Sequence, residues 1–297
     1  MNDEDRARSR SAPTAEEASR EEAREEAREP RERPDHSPEV GTRLSAREIH
    51  DNVLDTADEE LRRPARALFW SSLAAGLLMG WSFVASAYMM SLVSPKLRGA
   101  AAAAAYPLGF ILVIIGRNQL FTENTLEPVI PLLEDRNWRT FRRVMRLWVI
   151  VLAGNMLGAL IFALFAARTP MLGESLRPAL LHLGAEAVSG GFARVFYLAI
   201  FAGWLIALTA WLVQATQRTL AQIVLIWLTI APISAFGFRH SIAGAVESFY
   251  YAANGGAGWG GVIGGFIVPA VLGNIVGGVI FVALLNHGQV AAEREHA

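Results

Sequence analysis

Two apolar stretches of the chain carry polar residues in their middle, and these residues are the ones that could do chemistry. Arg117, Thr122 and Glu123 lie in the first stretch, and Arg239 and His240 lie in the second. A charge at the depth of a bilayer costs several kcal/mol unless it is paired or hydrated. Histidine changes charge at about pH 6.5, so His240 could exchange a proton with a solute. Thr122 could orient the imidazole or donate a hydrogen bond to an anion.

The composition indicates that these residues belong to a membrane protein. The chain has 297 residues, of which 53% are hydrophobic and 19% charged, with no cysteine and a formal net charge of −1. Most charges lie in residues 1–66, so the remainder is far poorer in charge than a soluble domain, which is about a quarter charged. The lack of cysteine excludes disulfides, a thiolate nucleophile and a Cys-ligated metal. The near-neutral charge argues against nucleic-acid binding.

Six segments are apolar over the roughly 20 residues that a helix needs to cross a bilayer. With six spans both termini lie on one side, and the short loops of that side carry more arginine than those of the other side. This distribution predicts a multi-pass protein of the cytoplasmic (inner) membrane with both termini in the cytoplasm. The predicted spans are residues 66–92, 100–131, 140–168, 192–216, 220–250 and 258–286.

The sequence outside the spans predicts a charged tail and a short amphipathic helix. The tail is rich in Arg and Glu and has almost nothing to bury, so we expect it to be disordered. The helix begins with a possible capping box of Ser45 and Glu48 and would lie at the membrane interface or serve only as a connector. The predicted regions are residues 1–44 for the tail, 45–64 for the interfacial helix, 65–287 for the transport domain and 288–297 for a short cytoplasmic C-terminal tail.

The polar middles of the second and fifth spans predict helices that are broken inside the membrane. Non-helical backbone at that depth is tolerated only where protein buries it or where it lines a cavity. Each interrupted span is the second of three in its half, and an odd number of spans per half inverts the second half. Such paired breaks indicate a transport site near the midplane. We therefore expect an all-α integral membrane protein with six transmembrane helices in two inverted three-helix repeats.

Three motifs carry a resemblance to a known family. The stretches GRNQLFTENTL, GFRHSIAGAVE and LGNIVGG, in the second, fifth and sixth spans, resemble the formate/nitrite transporter family. The resemblance implies an aquaporin-like protomer with its own pore, assembled as a homopentamer in the lipid bilayer. It also implies passage of small monovalent anions or their conjugate weak acids, together with protons. Neither a metal nor an organic cofactor is indicated.

The same resemblance implies roles for individual residues. Thr122 and His240 match the family's central threonine and histidine, which would contact the solute and relay a proton. Asn274 matches a polar position in the pore vestibule. Each of the apolar matches could equally be an ordinary packing residue. The positions that match narrow points of the pore are Tyr106, Phe110, Leu120, Phe121 and Ile233.

The chain departs from the family pattern beside the site. Glu123 follows the threonine and Arg239 precedes the histidine. We expect Glu123 and Arg239 to pair across the two breaks, because burying either charge alone would be costly. Arg239 could instead disfavour a positive charge on His240 by proximity. Ala187 stands where the family can place a lysine, and Gly203 where it can place an asparagine.

Three other functions fit parts of the sequence. An intramembrane serine protease could use Ser189, but the sixth span has no internal histidine as its base, and His287 lies at its end. An aquaporin-like pore for a neutral small solute fits the half-helices, although the Asn-Pro-Ala pairs of such pores are missing. A membrane scaffold or sensor could act through the N-terminal tail. The broken spans favour a channel or transporter over an enzyme.

Overall fold

The computed structural model describes residues 44–135 and 137–295, and the regular structure of this part is helical. The predicted disordered tail falls outside the described residues, apart from residue 44. Five stretches are long and apolar enough to cross a membrane, namely Ala65–Ser91, Pro95–Ile115, Trp138–Arg168, Gly191–Val213 and Trp259–Val290. The remaining span consists of two shorter helices on either side of a break. The prediction of six spans with breaks in the second and fifth is confirmed.

The first described helix, α1 (Ala46–Arg62), begins with a capping box. The Glu48 N–H donates to Ser45 Oγ at 3.2 Å, and the Ser45 N–H donates to the Glu48 carboxylate at 2.7 Å. These two bonds satisfy N–H groups that a helix start leaves unpaired. One face of α1 packs against the bundle, and its buried residues are His50, Val53, Ala57 and Leu61.

The first half of the bundle contains three spans, of which the middle one is interrupted. Two long helices form the first and third spans, and shorter helices form the second. These helices are α2 (Ala65–Ser91), α3 (Arg98–Ala105), α4 (Pro107–Ile115), α5 (Val129–Asp135) and α6 (Trp138–Arg168).

The second half repeats this arrangement after the short helix α7 (Arg177–Ala187). Its sixth span contains two π-helical turns, and the chain stays helical to Glu295, where the sequence suggested a short tail. The helices of this half are α8 (Gly191–Val213), α9 (Thr219–Ala235), α10 (Ser241–Ala253), α11 (Trp259–Val262), α12 (Val268–Gly278) and α13 (Leu285–Glu295).

Glycines let the outer spans of each half pack backbone to backbone, α2 against α6 and α8 against α12. A Cβ atom on Gly158 would overlap the carbonyl oxygen of Leu73, and one on Gly277 would overlap that of Ile200. Small residues allow this close approach between membrane helices. The interrupted segments cross between the halves, since α10 packs against α2 and α6 and the turn at Glu123–Thr125 packs against α8 and α12.

Candidate functional site

Both interrupted spans end their first helix with the same turn. In the second span, the Asn118 N–H donates to the Val113 carbonyl at 3.0 Å and the Arg117 N–H donates to the Ile114 carbonyl at 3.1 Å. These two bonds form a Schellman motif, which requires a left-handed residue after the helix. Arg117 occupies that position with φ 51°. A non-glycine residue is strained there because its Cβ approaches the following carbonyl.

The fifth span repeats this turn residue for residue. The Phe238 N–H donates to the Ile233 carbonyl at 2.8 Å, and the Gly237 N–H donates to the Ser234 carbonyl at 3.1 Å. Gly237 takes the left-handed position with φ 66°, and glycine adopts this conformation without strain. His240 is thereby placed three residues after the left-handed residue, as Leu120 is in the first half.

A buried asparagine fixes the chain after each break. In the first half, Asn155 Oδ1 accepts from the Phe121 N–H at 2.9 Å, and its Nδ2 donates to the carbonyls of Gln119 at 2.9 Å and Ser72 at 2.8 Å. The non-helical backbone after the break would otherwise leave these groups unpaired. The amide of Asn155 therefore holds the segment that leads into Thr122.

Asn274 does the same in the second half. Its Oδ1 accepts from the Ser241 N–H at 2.8 Å, and its Nδ2 donates to the carbonyls of Arg239 at 3.0 Å and Ala199 at 2.8 Å. The side chain is fully buried. The sequence placed Asn274 in the pore vestibule, but its amide hydrogens are engaged by backbone carbonyls. A Cβ on Gly203 would overlap the Asn274 backbone, which explains why no asparagine stands at 203.

Thr122 and His240 meet where the two interrupted segments come together. Thr122 Oγ1 lies 2.8 Å from His240 Nε2, and both side chains are buried. His240 also caps α10, because its Nδ1 accepts from the Ala243 N–H at 3.0 Å. An Nδ1 atom that accepts carries no hydrogen, so the neutral ring has its hydrogen on Nε2 and donates it to Thr122. The Thr122 hydroxyl hydrogen then points away from the ring.

Of the residues predicted to form narrow points, Phe110 packs directly against the pair. The Phe110 ring lies 4.9 Å from the His240 ring between centroids, and Tyr106 lies 5.4 Å from Phe110. Leu120 and Ile233 are fully buried. Phe121 packs against the indole of Trp148 in the third span, with centroids 5.8 Å apart.

Two cavities approach the pair, and they share no lining residue. The first, here called the Glu186 cavity, has a volume of about 420 Å³ and is bordered by Tyr106, Ala187 and His240, among others. The second, here called the Glu60 cavity, has a volume of about 890 Å³ and is bordered by Glu123, next to Thr122. His240 therefore borders one cavity, and the residue after Thr122 borders the other.

Arg239 belongs to the Glu186 cavity and pairs there. Its guanidinium donates to the Glu186 carbonyl at 2.8 Å and to Ser189 Oγ at 3.3 Å, and it lies 3.9 Å from the Glu186 carboxylate. Glu123 borders the other cavity, so the Glu123–Arg239 pair expected from the sequence is corrected to an Arg239–Glu186 pair. The expectation failed because the two breaks turn their charged residues toward different cavities.

The Glu60 cavity contains an acidic cluster that the sequence did not reveal. Glu60 from α1 lies beside Glu123 and Glu127. Gln119 Nε2 donates to Glu60 Oε1 at 2.6 Å. Burial raises the pKa of Glu60. No sequence spacing signals this cluster, because it depends on α1 folding across the opening.

This fold and site define a helical membrane transport protein. Residues 47–288 match the formate/nitrite transporter family, and the chain belongs to that family. It is 36% identical to "Inner membrane protein YfdC" of Escherichia coli (strain K12) over 82% of this chain and 79% of the relative. It is 30% identical to "Probable formate transporter" of Methanothermobacter thermautotrophicus, over 61% of this chain and 72% of that protein.

The fold also matches a solved structure. A structure described as "Pentameric formate channel with formate bound" superposes with a TM-score of 0.65 at 21% identity, covering 77% of this chain and 98% of that chain. At this identity the likeness concerns the fold, which is that of the family's channels. The prediction of an integral membrane transporter with this fold, rather than an enzyme, is confirmed by the family membership.

Proposed function

We propose that this protein passes a small monovalent anion or its conjugate weak acid, of the formate or nitrite type, across the inner membrane. The observation that carries the proposal is the 2.8 Å contact between Thr122 and His240 between two separate cavities. An apolar ring such as Phe110 near this contact disfavours a hydrated ion and tolerates a dehydrated or neutral solute. The "Probable formate transporter" relative supports a small carboxylate as the solute.

Thr122 is the group that we propose to contact the solute directly. His240 Nε2 donates to its oxygen, which leaves the hydroxyl hydrogen for a carboxylate or nitrite oxygen. The solute loses hydration between the cavities, and an unpaired anion there would be strongly disfavoured. A hydrogen bond from Thr122, or protonation of the solute, offsets this penalty.

We propose that transport is linked to a proton and that His240 takes part. The resting ring is neutral because Nδ1 accepts from the Ala243 N–H. An imidazolium has hydrogen on both nitrogens, so protonation of His240 requires the first turn of α10 to release this bond. Release of this bond costs about 0.5–1.5 kcal/mol. The buried imidazolium adds the larger cost of a charge out of water, which an anion beside the ring would offset.

Arg239 is the cation that we propose to attract anions to the Glu186 cavity. It borders this cavity beside Ala187, the position where the family can place a lysine. Its guanidinium donates to the carbonyl of Glu186, the residue before Ala187. Arg239 therefore places a guanidinium near the position of the family's lysine, where the Glu186 carboxylate 3.9 Å away partly offsets its charge.

A second solute class is favoured by the opposite cavity. Glu60, Glu123 and Glu127 border it together with Arg63 and Arg117, so its carboxyls outnumber its guanidiniums and an anion gains little there by keeping its charge. This observation favours passage of the neutral acid, or of another neutral small solute, through the Glu60 cavity.

We propose that both termini and α1 lie on the cytoplasmic side, from the arginine distribution of the loops. We also propose a homopentamer, as in the channel of similar fold.

The test is solute uptake into proteoliposomes that contain the full chain. Formate, nitrite, acetate, lactate and uncharged glycerol are compared while lumenal pH is recorded. If the neutral acid crosses, formate uptake rises by about tenfold for each unit by which external pH falls, well above the pKa of formic acid. Uptake of glycerol without formate would establish the neutral-solute pore instead, and uptake of neither would contradict transport of these classes.

The variant His240→Asn separates the proton step from the cap of α10. Asparagine is a good helix cap and can accept from the Ala243 N–H, but it does not titrate. We expect the variant to fold and to keep only the pH dependence that protonation of formate in solution produces, because the part contributed by the ring is lost. His182→Ala, at an exposed histidine on α7, is the matched control. Unchanged pH dependence in His240→Asn would reject the proton role of the ring.

A further inference from the structure

We propose that His50, Glu134 and His287 form a binding site for a divalent transition-metal ion, with Zn²⁺ as the ion that suits the donors best. One ligand atom from each residue lies within 4.8 Å of the other two. The three residues come from α1, the end of α5 and α13, so the fold brings together side chains that are far apart in the sequence. This site is separate from the Thr122–His240 pair and does not depend on the solute that crosses.

The distances between the three ligand groups are slightly longer than those in a zinc site with its ion bound. His50 Nε2 lies 3.9 Å from Glu134 Oε1, and the His50 and His287 ring centroids lie 5.8 Å apart. Ligand bonds of 2.0–2.2 Å in tetrahedral geometry place donor atoms about 3.3–3.6 Å apart. A contraction of about an ångström, by rotation of side chains, would complete the site.

The donor set and its surroundings fit zinc. Two imidazoles and one carboxylate are a known set of three zinc ligands, with water as the fourth. His50 directs Nε2 toward Glu134, while its Nδ1 lies 3.8 Å from the Asp51 carboxylate. This separation is beyond hydrogen-bond distance, and a shift of about an ångström would let Asp51 orient the ring as a carboxylate behind a ligating histidine does.

Burial and access also fit an ion site. His50 is fully buried, and its ring meets the edge of Trp211 with centroids 6.3 Å apart. His287 Nδ1 is buried without a hydrogen-bond partner within the described part of the chain. Glu134 is exposed, which gives an ion a route from solvent. A bound ion would satisfy the Nδ1 atom of His287, which loses its hydration on burial.

A metal at this position would tie α1 to the bundle. The same helix carries Glu60 into the Glu60 cavity. Binding of Zn²⁺ would therefore hold in place the helix that borders the Glu60 cavity, and it would stabilise the folded protein by an amount that rises with the logarithm of the free Zn²⁺ concentration above Kd.

The experiment uses the full chain, purified in detergent without a polyhistidine tag and stripped of metal with a chelator. Zn²⁺ binding is measured by calorimetry, and the melting temperature is measured with and without Zn²⁺. We expect one ion per chain and a rise in melting temperature. Glu134→Gln and His287→Ala should each weaken binding by at least about tenfold, as loss of a metal ligand does. His182→Ala, outside the cluster, should bind as the unmodified chain does.

Glu134→Gln keeps the test decisive if His287→Ala fails to fold, because glutamine has nearly the same size and shape as the partly exposed glutamate. Co²⁺ offers a second readout, since its visible absorption reports a tetrahedral site with nitrogen ligands. The proposal is overturned if the unmodified chain binds no Zn²⁺, or if Glu134→Gln binds it with unchanged affinity and an unchanged Co²⁺ spectrum.

Discussion

Asn155 and Asn274 hold the two helix breaks with the same three hydrogen bonds. Each accepts from one backbone N–H after its break and donates to two carbonyls, one beside the break and one in the first span of its own half. The equivalence indicates that the positions of Thr122 and His240 depend on two amides in spans three and six, outside the interrupted segments.

Replacing Asn274 by aspartate should therefore strongly destabilise the protein. The carboxylate has nearly the same shape, but it would face the carbonyls of Ala199 and Arg239 with an acceptor in place of the amide donor. Each buried acceptor left unsatisfied costs about 1–3 kcal/mol, so we expect a loss of about 2–6 kcal/mol. Thermal unfolding in detergent measures the change, and solute uptake should be lost with it.

The matched control for this prediction is Asn137→Asp. Asn137 caps α6 by accepting from the Thr140 N–H at 2.9 Å, and it is exposed. Aspartate caps a helix as well as asparagine does, so its melting temperature should stay unchanged. Equal effects of the two substitutions would show that the buried donors of Asn274 do not matter for stability.

The two left-handed residues predict opposite effects of glycine and alanine. Arg117→Gly should stabilise the protein by about 1 kcal/mol, because it removes the strain of a Cβ at positive φ. Gly237→Ala should destabilise it by about 1–2 kcal/mol for the same reason. A Cβ on Gly237 meets only ordinary contacts, so the effect is conformational.

Arg117→Ala controls for the charge that Arg117 contributes to the Glu60 cavity. Both variants remove the guanidinium, and only glycine relieves the backbone. If Arg117→Gly and Arg117→Ala have the same melting temperature, the left-handed conformation carries no strain in this protein.

The raised pKa of Glu60 predicts that stability falls as pH rises. A carboxyl that ionises less readily in the folded state favours folding at low pH, and this contribution is lost as pH rises through the folded-state value. Glu60→Gln stays neutral at every pH. The variant should therefore melt at a higher temperature than the unmodified chain at pH 8, with a smaller difference at pH 5.

Glu174→Gln is the control for this titration, because the Glu174 side chain is exposed and does not border the Glu60 cavity. It should shift the melting temperature equally at the two pH values. A difference between Glu60→Gln and the unmodified chain that does not change with pH would refute the burial of a titrating Glu60.

A double-mutant cycle distinguishes the two possible partners of Arg239. The Glu186 side chain is half exposed, so its coupling to Arg239 should be about 0.5–1 kcal/mol in unfolding free energy. The cycle of Arg239→Gln with Glu123→Gln should give a coupling near zero. A larger coupling of Arg239 to Glu123 than to Glu186 would show that Arg239 pairs with Glu123 across the two breaks.

The membrane spans and the two breaks in them could be predicted from the sequence. Six apolar segments and two polar middles indicate spans and breaks, since lipid imposes both. The LFT and RHSIA motifs, by resemblance, indicated that Thr122 and His240 meet, and the structure brings them to 2.8 Å. The equivalent turns were not predictable, because VIIGRN and ISAFGF share a backbone pattern and almost no side-chain pattern.

Contacts made by α1 could not be predicted either. The periodicity of Ile49, Val53, Ala57 and Leu61 indicated an apolar face, whereas the buried face contains His50. Hydropathy alone would place His50 on the solvent side of α1, because histidine is polar. The meeting of His50 with His287, and of Glu60 with Glu127, depends on the angle at which α1 crosses the bundle, which no local pattern encodes.

The exchange of interrupted segments between the halves has a consequence for biosynthesis. When the ribosome has delivered the first three spans, the surface of α2 and α6 that receives α10 is still empty, because α10 has yet to be translated. The early spans must wait in the translocon, or against lipid, until residue 253 has emerged. We expect the protein to be most vulnerable to quality-control proteolysis during that interval. A chain truncated before α10 should be degraded and should not accumulate in the membrane.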